Sequence, residues 1–217
     1  MYDAKDEIYF NKSRIDLIKL IPKNPDNKIL EIGMGGGNTL VNIKELHLAK
    51  EVVGIELMKL DDSQQQNPLI DRILFGNIEE MELDLEADYF DIILCGDILE
   101  HLIDPWKVLH KIRKYLKPNG SLIASIPNFR EIRNVYKIFF KANFKYEDMG
   151  TLDKTHLRFF CKKNMIELLE SANFKVISVD SNYNLRKIQW KRRIFNKITL
   201  GFFSDFLTLQ YILVAKK

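Results

Sequence analysis

The chain has 217 residues, 46% of them hydrophobic, a formal net charge of +3 and two cysteines. That length and apolar content suffice for one good core, and the charge is too small to argue for a nucleic-acid partner. Cys95 and Cys161 provide neither a disulfide framework nor a metal-binding spacing, which fits reduced thiols in a cytoplasmic protein. No run approaches the ~20 apolar residues of a membrane span, and the early acids Asp3, Asp6 and Glu7 do not fit a secretory signal.

Taken in chain order, Ile8 to Ile21 reads as a helix closed by Pro22 and Pro25. Lys28 to Ile32 is a short apolar run and reads as a buried strand. A turn through Gly33, Gly35 and Gly37 leads into an amphipathic helix, Thr39 to Leu48. Val52 to Glu56 is a second strand and Arg72 to Phe75 a third, followed by Gly76-Asn77-Ile78. Tyr89 to Cys95 is the fourth. Asp104-Pro105 opens a helix, with Asp as N-cap and Pro in the first turn; it runs to Leu116 and stops at Lys117-Pro118-Asn119-Gly120. Ser121 to Ile126 is the fifth strand, Lys162 to Ala172 a helix, and Phe174 to Asp180 and Tyr211 to Ala215 the last strands. The alternation predicts an α/β fold in a single domain, 1–217. Its sheet is mostly parallel, with helices on both faces and an antiparallel last strand. Two insertions interrupt it: a lid-like segment over 128–158 and a basic amphipathic segment over 182–208.

The first strand, glycine turn and helix form half of a nucleotide-cradling unit. Glycines lack a Cβ, so a flat ligand can lie against the backbone. The dinucleotide fingerprint G-x-G-x-x-G is met at Gly33 and Gly35 but fails at Asn38. The pattern E-x-G-x-G-x-G, through Glu31, Gly33, Gly35 and Gly37, resembles the first motif of class I S-adenosylmethionine-dependent methyltransferases. That resemblance implies a Rossmann-like seven-stranded sheet. It also implies a cofactor whose ammonium and sulfonium suit the Glu31 carboxylate. Glu56 lies about twenty residues past the glycines, where an acid grips ribose hydroxyls; the alternative is a helix N-terminal acid. Beside it comes Leu57. The resemblance further assigns the adenine amino group to Asn77, where many relatives carry Asp, with Ile78 as the apolar neighbour. The backbone at Cys95 and Gly96 passes beneath the cofactor.

Methyl transfer from a sulfonium is an in-line displacement, so the protein must hold the nucleophile and often remove its proton. Asp97, Glu100 and His101 fall within one helical turn and can converge. This D-x-x-E-H spacing resembles the E-x-x-E-H segment that binds a divalent cation in ubiquinone-biosynthesis and small-RNA methyltransferases. With His156 from the lid, the set suits Zn²⁺, Mn²⁺ or Fe²⁺ better than Mg²⁺. The alternative is that Glu100 and His101 order the loop. Asp153 to Phe160 resembles a D-x-T-H-L-R-F-F signature of bacterial methyltransferases, many of the polysaccharide and cell-envelope type. His156 is then the candidate general base, with Asp97 and His101 next, or else a histidine bonded to backbone. Arg158 either meets an acidic substrate group or pairs with Asp153. His47 and His110 read as solvated.

The lid holds Phe129, Tyr136, Phe139, Phe140, Phe144 and Tyr146, most of which are expected to pack as the apolar face of a helix. The second insertion carries Arg186, Lys187, Lys191, Arg192, Arg193 and Lys197 among Trp190, Phe195, Ile198, Leu200, Phe202 and Phe203. It reads as a helix covering the sheet edge with a solvated basic face, as a peripheral contact of 186–203 with the inner face of a membrane, or as a contact with a lipid-linked glycan or a second subunit. The reading is methyl transfer to an oxygen or nitrogen of a small-molecule or glycan-type acceptor. A nucleotide-dependent oxidoreductase and a cofactor-binding scaffold are the rivals.

Overall fold

The computed structural model describes residues 13–182 and 190–217. Its elements are α1 (Ile15–Ile18), β1 (Lys28–Ile32), α2 (Asn38–Glu45), β2 (Glu51–Glu56), β3 (Arg72–Phe75) and β4 (Phe90–Gly96). Then follow α3 (Pro105–Arg113), β5 (Leu116–Pro127), α4 (Ile132–Lys141), α5 (Lys162–Ser171), β6 (Lys175–Ser181), α6 (Trp190–Ile198), α7 (Ser204–Leu207) and β7 (Gln210–Lys216). Short 3-10 turns lie at Gln64–Gln66 and Leu99–His101.

The sheet order is β3-β2-β1-β4-β5-β7-β6, with only β7 antiparallel to its neighbours. Strand alternation sends Leu30, Ile32, Val53, Ile55, Ile93 and Cys95 into one core. Ile29, Val52, Ile92 and Leu94 go into the other, where Leu17, Leu40 and Ile43 cover them. Both faces of the central strands are therefore dry, which is why those strands read as continuous apolar runs. The strand order reverses between β1 and β4. In open α/β sheets that reversal leaves a crevice outside the carboxyl ends of the strands. The glycine turn after β1 and the segment after β4 both open onto it.

The expected seven-stranded fold is found, with local differences. The first expected helix lies partly outside the described residues; within them it is the four-residue α1. α2 ends at Glu45 rather than Leu48 because His47 turns left-handed (φ 52°) and Leu48 N–H bonds back to the Ile43 carbonyl. That closes the last turn as a Schellman motif does. α3 starts where Asp104 accepts from Lys107 N–H at 2.9 Å, as read, but it stops at Arg113. Leu116 instead opens β5 opposite Phe90, and residues 117–120 bulge before pairing resumes at Ser121 and Ile92. Leu116 and Phe90 are both fully buried, so core packing overrides the helical period there.

Gly54 in β2 explains how the glycine turn is seated. A Cβ there would fall 1.9 Å from Met34 Sδ and 3.2 Å from Leu40. Met34, the buried residue between Gly33 and Gly35, uses that space. Gly54→Ala should therefore destabilise the protein by about 1–3 kcal/mol, the usual cost of overpacking a core. Urea denaturation of the variant checks this, and an unchanged midpoint would show that Met34 can yield.

Candidate active site

The site is built where β1, β2 and β4 end. Gly33, Gly35 and Gly37 all have positive φ (69°, 55° and 84°), a region L-residues rarely adopt. Two of them serve the fold as much as a ligand. A Cβ on Gly33 would lie 2.9 Å from the Ile98 side chain, and one on Gly37 2.8 Å from Ile70. The turn is tied to β2 by Gly33 N–H to the Ile55 carbonyl at 2.8 Å. Glu56, at the end of β2, folds across to accept from Gly35 N–H at 2.7 Å and Leu57 N–H at 2.8 Å. Burial raises the Glu56 pKa, and the backbone N–H groups of Gly35, Met58 and Leu57 oppose that rise. Glu56 and the glycine turn are thus in direct contact, as their assignment to one ligand requires. Leu57 is exposed at the rim. Asn77 caps its own turn, accepting from Glu79 N–H at 3.0 Å. The Ile78 side chain, read as the apolar neighbour of the adenine, is buried in the core.

Glu31 is buried at the end of β1 beneath the turn. Burial pushes its carboxyl up to about 8, against opposing contributions from the Arg14 charge and a Thr39 hydrogen bond. Its Oε2 finds no hydrogen-bond donor among the described residues. A buried acceptor left unmade costs free energy, so this oxygen fits the ammonium end of adenosylmethionine. Arg14 is the site residue that sequence reasoning missed. Its guanidinium packs against Gly96, where a Cβ would come within 3.2 Å of Nη1, and donates to Asp97 Oδ2 at 2.7 Å. Nothing in the local pattern of an N-terminal helix sets that arginine apart. Cys95 is fully buried between the strands; burial and the charges of Glu31 and Glu100 raise its thiol pKa, so it is no nucleophile.

Asp97 does not join the other candidates. It sits in the left-handed region (φ 56°), and its carboxylate accepts from Ser125 Oγ at 3.0 Å, from Arg14 and from the Gln210 amide. Those bonds commit it to holding the loop and Arg14, and its reading as base or metal ligand is corrected accordingly. Glu100, His101 and His156 do converge, with one ligand atom of each within 4.8 Å of the others. The lid segment is docked by Leu157 and Arg158 N–H groups, which donate to the Glu100 carbonyl at 2.8 and 3.0 Å. His101 Nδ1 meets the Thr155 carbonyl and His156 Nδ1 the Thr151 carbonyl, each at 3.0 Å. A carbonyl only accepts, so both Nδ1 atoms carry a proton, and in the neutral ring Nε2 is then the nitrogen with the lone pair. His156 Nε2 lies 4.0 Å from Glu100 Oε1, and the two rings are edge-on at 4.6 Å. The Arg158 guanidinium bonds the Ile103 carbonyl and lies over Trp106. His47 and His110 are exposed, as read.

The switch-point crevice, the glycine turn and the acid at the end of β2 define an α/β protein of the Rossmann-like, adenosylmethionine-binding class. Residues 5–179 match the family model of the methyltransferase domain, and the chain belongs to that family. It is an S-adenosylmethionine-dependent methyltransferase. The chain is 28% identical to the mitochondrial ubiquinone biosynthesis O-methyltransferase of Schizosaccharomyces pombe, over 95% of this chain and 76% of that one. It is 32% identical to the corresponding protein of Hydrogenovibrio crunogenus over 65% of this chain, and that match spans 58% of the relative's length. A solved S-adenosylmethionine-dependent methyltransferase of Mesorhizobium loti superposes with a TM-score of 0.64 at 15% identity, over 93% and 96% of the two chains.

The raised Glu31 pKa has a testable sign. Between the ordinary value of 4.5 and about 8, the folded protein holds this proton more tightly than the unfolded chain. The stability it gives is complete below that window and is lost as pH rises through it. Glu31→Gln removes the titration. Stability of the wild type relative to this variant should fall between pH 5 and about 8 in urea denaturation. A pH-independent difference would show that Glu31 is ionised throughout.

Proposed function

We propose that the protein transfers a methyl group from S-adenosylmethionine to an oxygen of a small-molecule acceptor, with His156 as general base. The observation that supports it is the cluster of buried Glu100 and His156 with half-buried His101, which follows Gly96 at the carboxyl end of the sheet, where the glycine turn also lies. The relatives' names speak of O-methylation; they lend no support to a glycan-type acceptor or to the cell-envelope reading of Asp153 to Phe160.

When bound, adenosylmethionine supplies an electrophilic methyl group and leaves a thioether behind. Glu31 would hold its ammonium, Glu56 the ribose hydroxyls and Arg14, oriented by Asp16 and Asp97, its carboxylate, with the backbone at Gly35 and Gly96 leaving room for it. Asp97, Ser125 and Gln210 hold Arg14 and the loop. The lid, residues 128–158, would limit water at the cluster, where Leu157 and Arg158 dock it on Glu100. His156 Nε2 would take the proton of an acceptor hydroxyl held in the crevice. Glu100 stabilises the resulting imidazolium.

A second reading rests on the tautomers. Two imidazoles with Nδ1 fixed on backbone carbonyls, and a buried carboxylate facing them, form a donor set for a divalent ion such as Zn²⁺, Mn²⁺ or Fe²⁺. An ion held by Glu100, His101 and His156 would acidify the acceptor hydroxyl in place of the base.

Calorimetry with S-adenosylhomocysteine tests the cofactor placement. Glu56→Ala should weaken binding by about 1–3 kcal/mol, the cost of leaving hydroxyl donors unpaired. Unchanged affinity, or tight binding of NAD instead, would overturn it.

Labelled-methyl transfer to a panel of phenols and catechols tests the chemistry. His156→Ala should lower turnover by roughly 10²–10⁴-fold with cofactor affinity nearly unchanged. Full activity in that variant would remove the base. Elemental analysis of protein purified without a His tag separates the two readings: bound metal and chelator-sensitive turnover favour the ion, and neither leaves the base.

A further inference from the structure

We propose that α6 and α4 form a docking surface for an anionic lipid bilayer. Of the readings of 186–203, the favoured one, a helix packing on the sheet edge with a solvated basic face, is not what the structure shows for α6. α6 has no buried residue. Its half-buried positions are polar ones, Arg192, Asn196 and Thr199, spaced along one face. Arg192 anchors that face by an ion pair to Glu131 at 2.6 Å and by a hydrogen bond to the Leu207 carbonyl. Trp190, Ile194, Phe195 and Ile198 are all exposed, Ile198 by 74%. The chain continues into Leu200 and Phe202, exposed by 95% and 82%. The helix is therefore attached by its polar side and turns its apolar side outward.

α4 repeats the arrangement. Glu131, which pairs with Arg192, also caps α4 by accepting from Arg133 N–H at 3.0 Å. Asn134 is buried on the inner side, while Ile132, Tyr136, Phe139 and Phe140 are exposed. This corrects the expectation for those aromatics; of the lid set, Phe129 and Phe144 do pack, in a cluster with Phe159.

Charge selects the occupant. From 190 to 203 Lys191, Arg193 and Lys197 are exposed with no acid in the segment, Arg192 being held by Glu131; on α4 Lys141 is exposed beside Arg133 and Lys137, which pair with Glu131 and Glu147. Apolar side chains flanked by Lys and Arg suit the boundary between acyl chains and anionic headgroups. A second copy of this chain would bring the same cations against them, with no carboxylate in either segment to answer. Among the described residues no helix is long and apolar enough to cross a membrane, so the contact is peripheral. Arg186 and Lys187, read with this segment, lie outside the described residues.

Co-sedimentation with phosphatidylcholine vesicles, with and without phosphatidylglycerol, tests the proposal. The full chain should bind the anionic vesicles and not the neutral ones, less so at high salt, with a blue shift of Trp190 emission read in a Trp106→Phe background. The double variant Ile194→Asp and Ile198→Asp should weaken binding by roughly tenfold or more with unchanged circular dichroism. Lys50→Glu, elsewhere on the surface, should bind as the wild type does. No binding by the folded protein, or equal binding by the double variant, would overturn the proposal. So would self-association without vesicles that the double variant abolishes, since the face would then belong to a second copy. Vesicle binding needs no turnover, so either result leaves the methyl-transfer reading to be judged on its own assays.

Discussion

The pairing of β1 with β4 is the constraint on which the site depends. These neighbours are distant in sequence, with Ile32 opposite Cys95 at the end of the ladder. Their crossovers leave in opposite directions, toward β2 on one side and β5 on the other. The loops leaving these two strands are thus spread apart while their starting points stay a strand spacing away from each other, and backbone groups at the gap face no helix. The glycine turn and the Gly96 to His101 segment fill the two sides. Glu31 lies at the foot of the gap with an unanswered oxygen. Burial raises that carboxyl to about 8, and its unanswered oxygen offers an acceptor to a cationic ligand.

The cofactor half of this site was legible in the sequence because it is local. Strand, glycines and acid follow one another within a few residues, and the acid of β2 stands at a spacing fixed by one βαβ unit. Strands buried on both faces also announce themselves as apolar runs, and the sheet was readable for that reason. What was not legible depends on distant contacts. Arg14 gains its meaning from Asp97, 83 residues away, and Gln210 reaches the same carboxylate from β7 across 113 residues. No periodicity encodes such meetings. Leu116 was misread because a helical period and a strand start are indistinguishable for one residue until Phe90 lies opposite it.

The histidine cluster stands between these cases. His101 and His156 were each singled out by a short motif, but their separate motifs could not tell that Asp97 would be drawn off toward Arg14 while Glu100 stayed. The structure decides it through backbone geometry. With φ at 56°, Asp97 turns left-handed and directs its side chain toward β5, and Leu99–His101 coil in a 3-10 turn that buries Glu100. The two lid N–H groups on the Glu100 carbonyl then fix where the lid enters. One residue therefore serves the cluster with its side chain and the lid with its main chain, which couples lid position to the geometry of the cluster.

The same logic accounts for the inverted helices. A helix that covers a sheet normally contributes apolar area, and its polar side is free to vary. α6 reverses this: its link to the domain includes a buried carboxylate, Glu131, which two arginines meet. Buried ion pairs rarely add more stability than apolar contacts of the same size would, so stability alone does not account for the choice. What a polar attachment does provide is orientation, because a guanidinium on a carboxylate fixes the rotation of the helix about its axis. Fixed in that way, the apolar residues have one direction to face, and it is away from the protein.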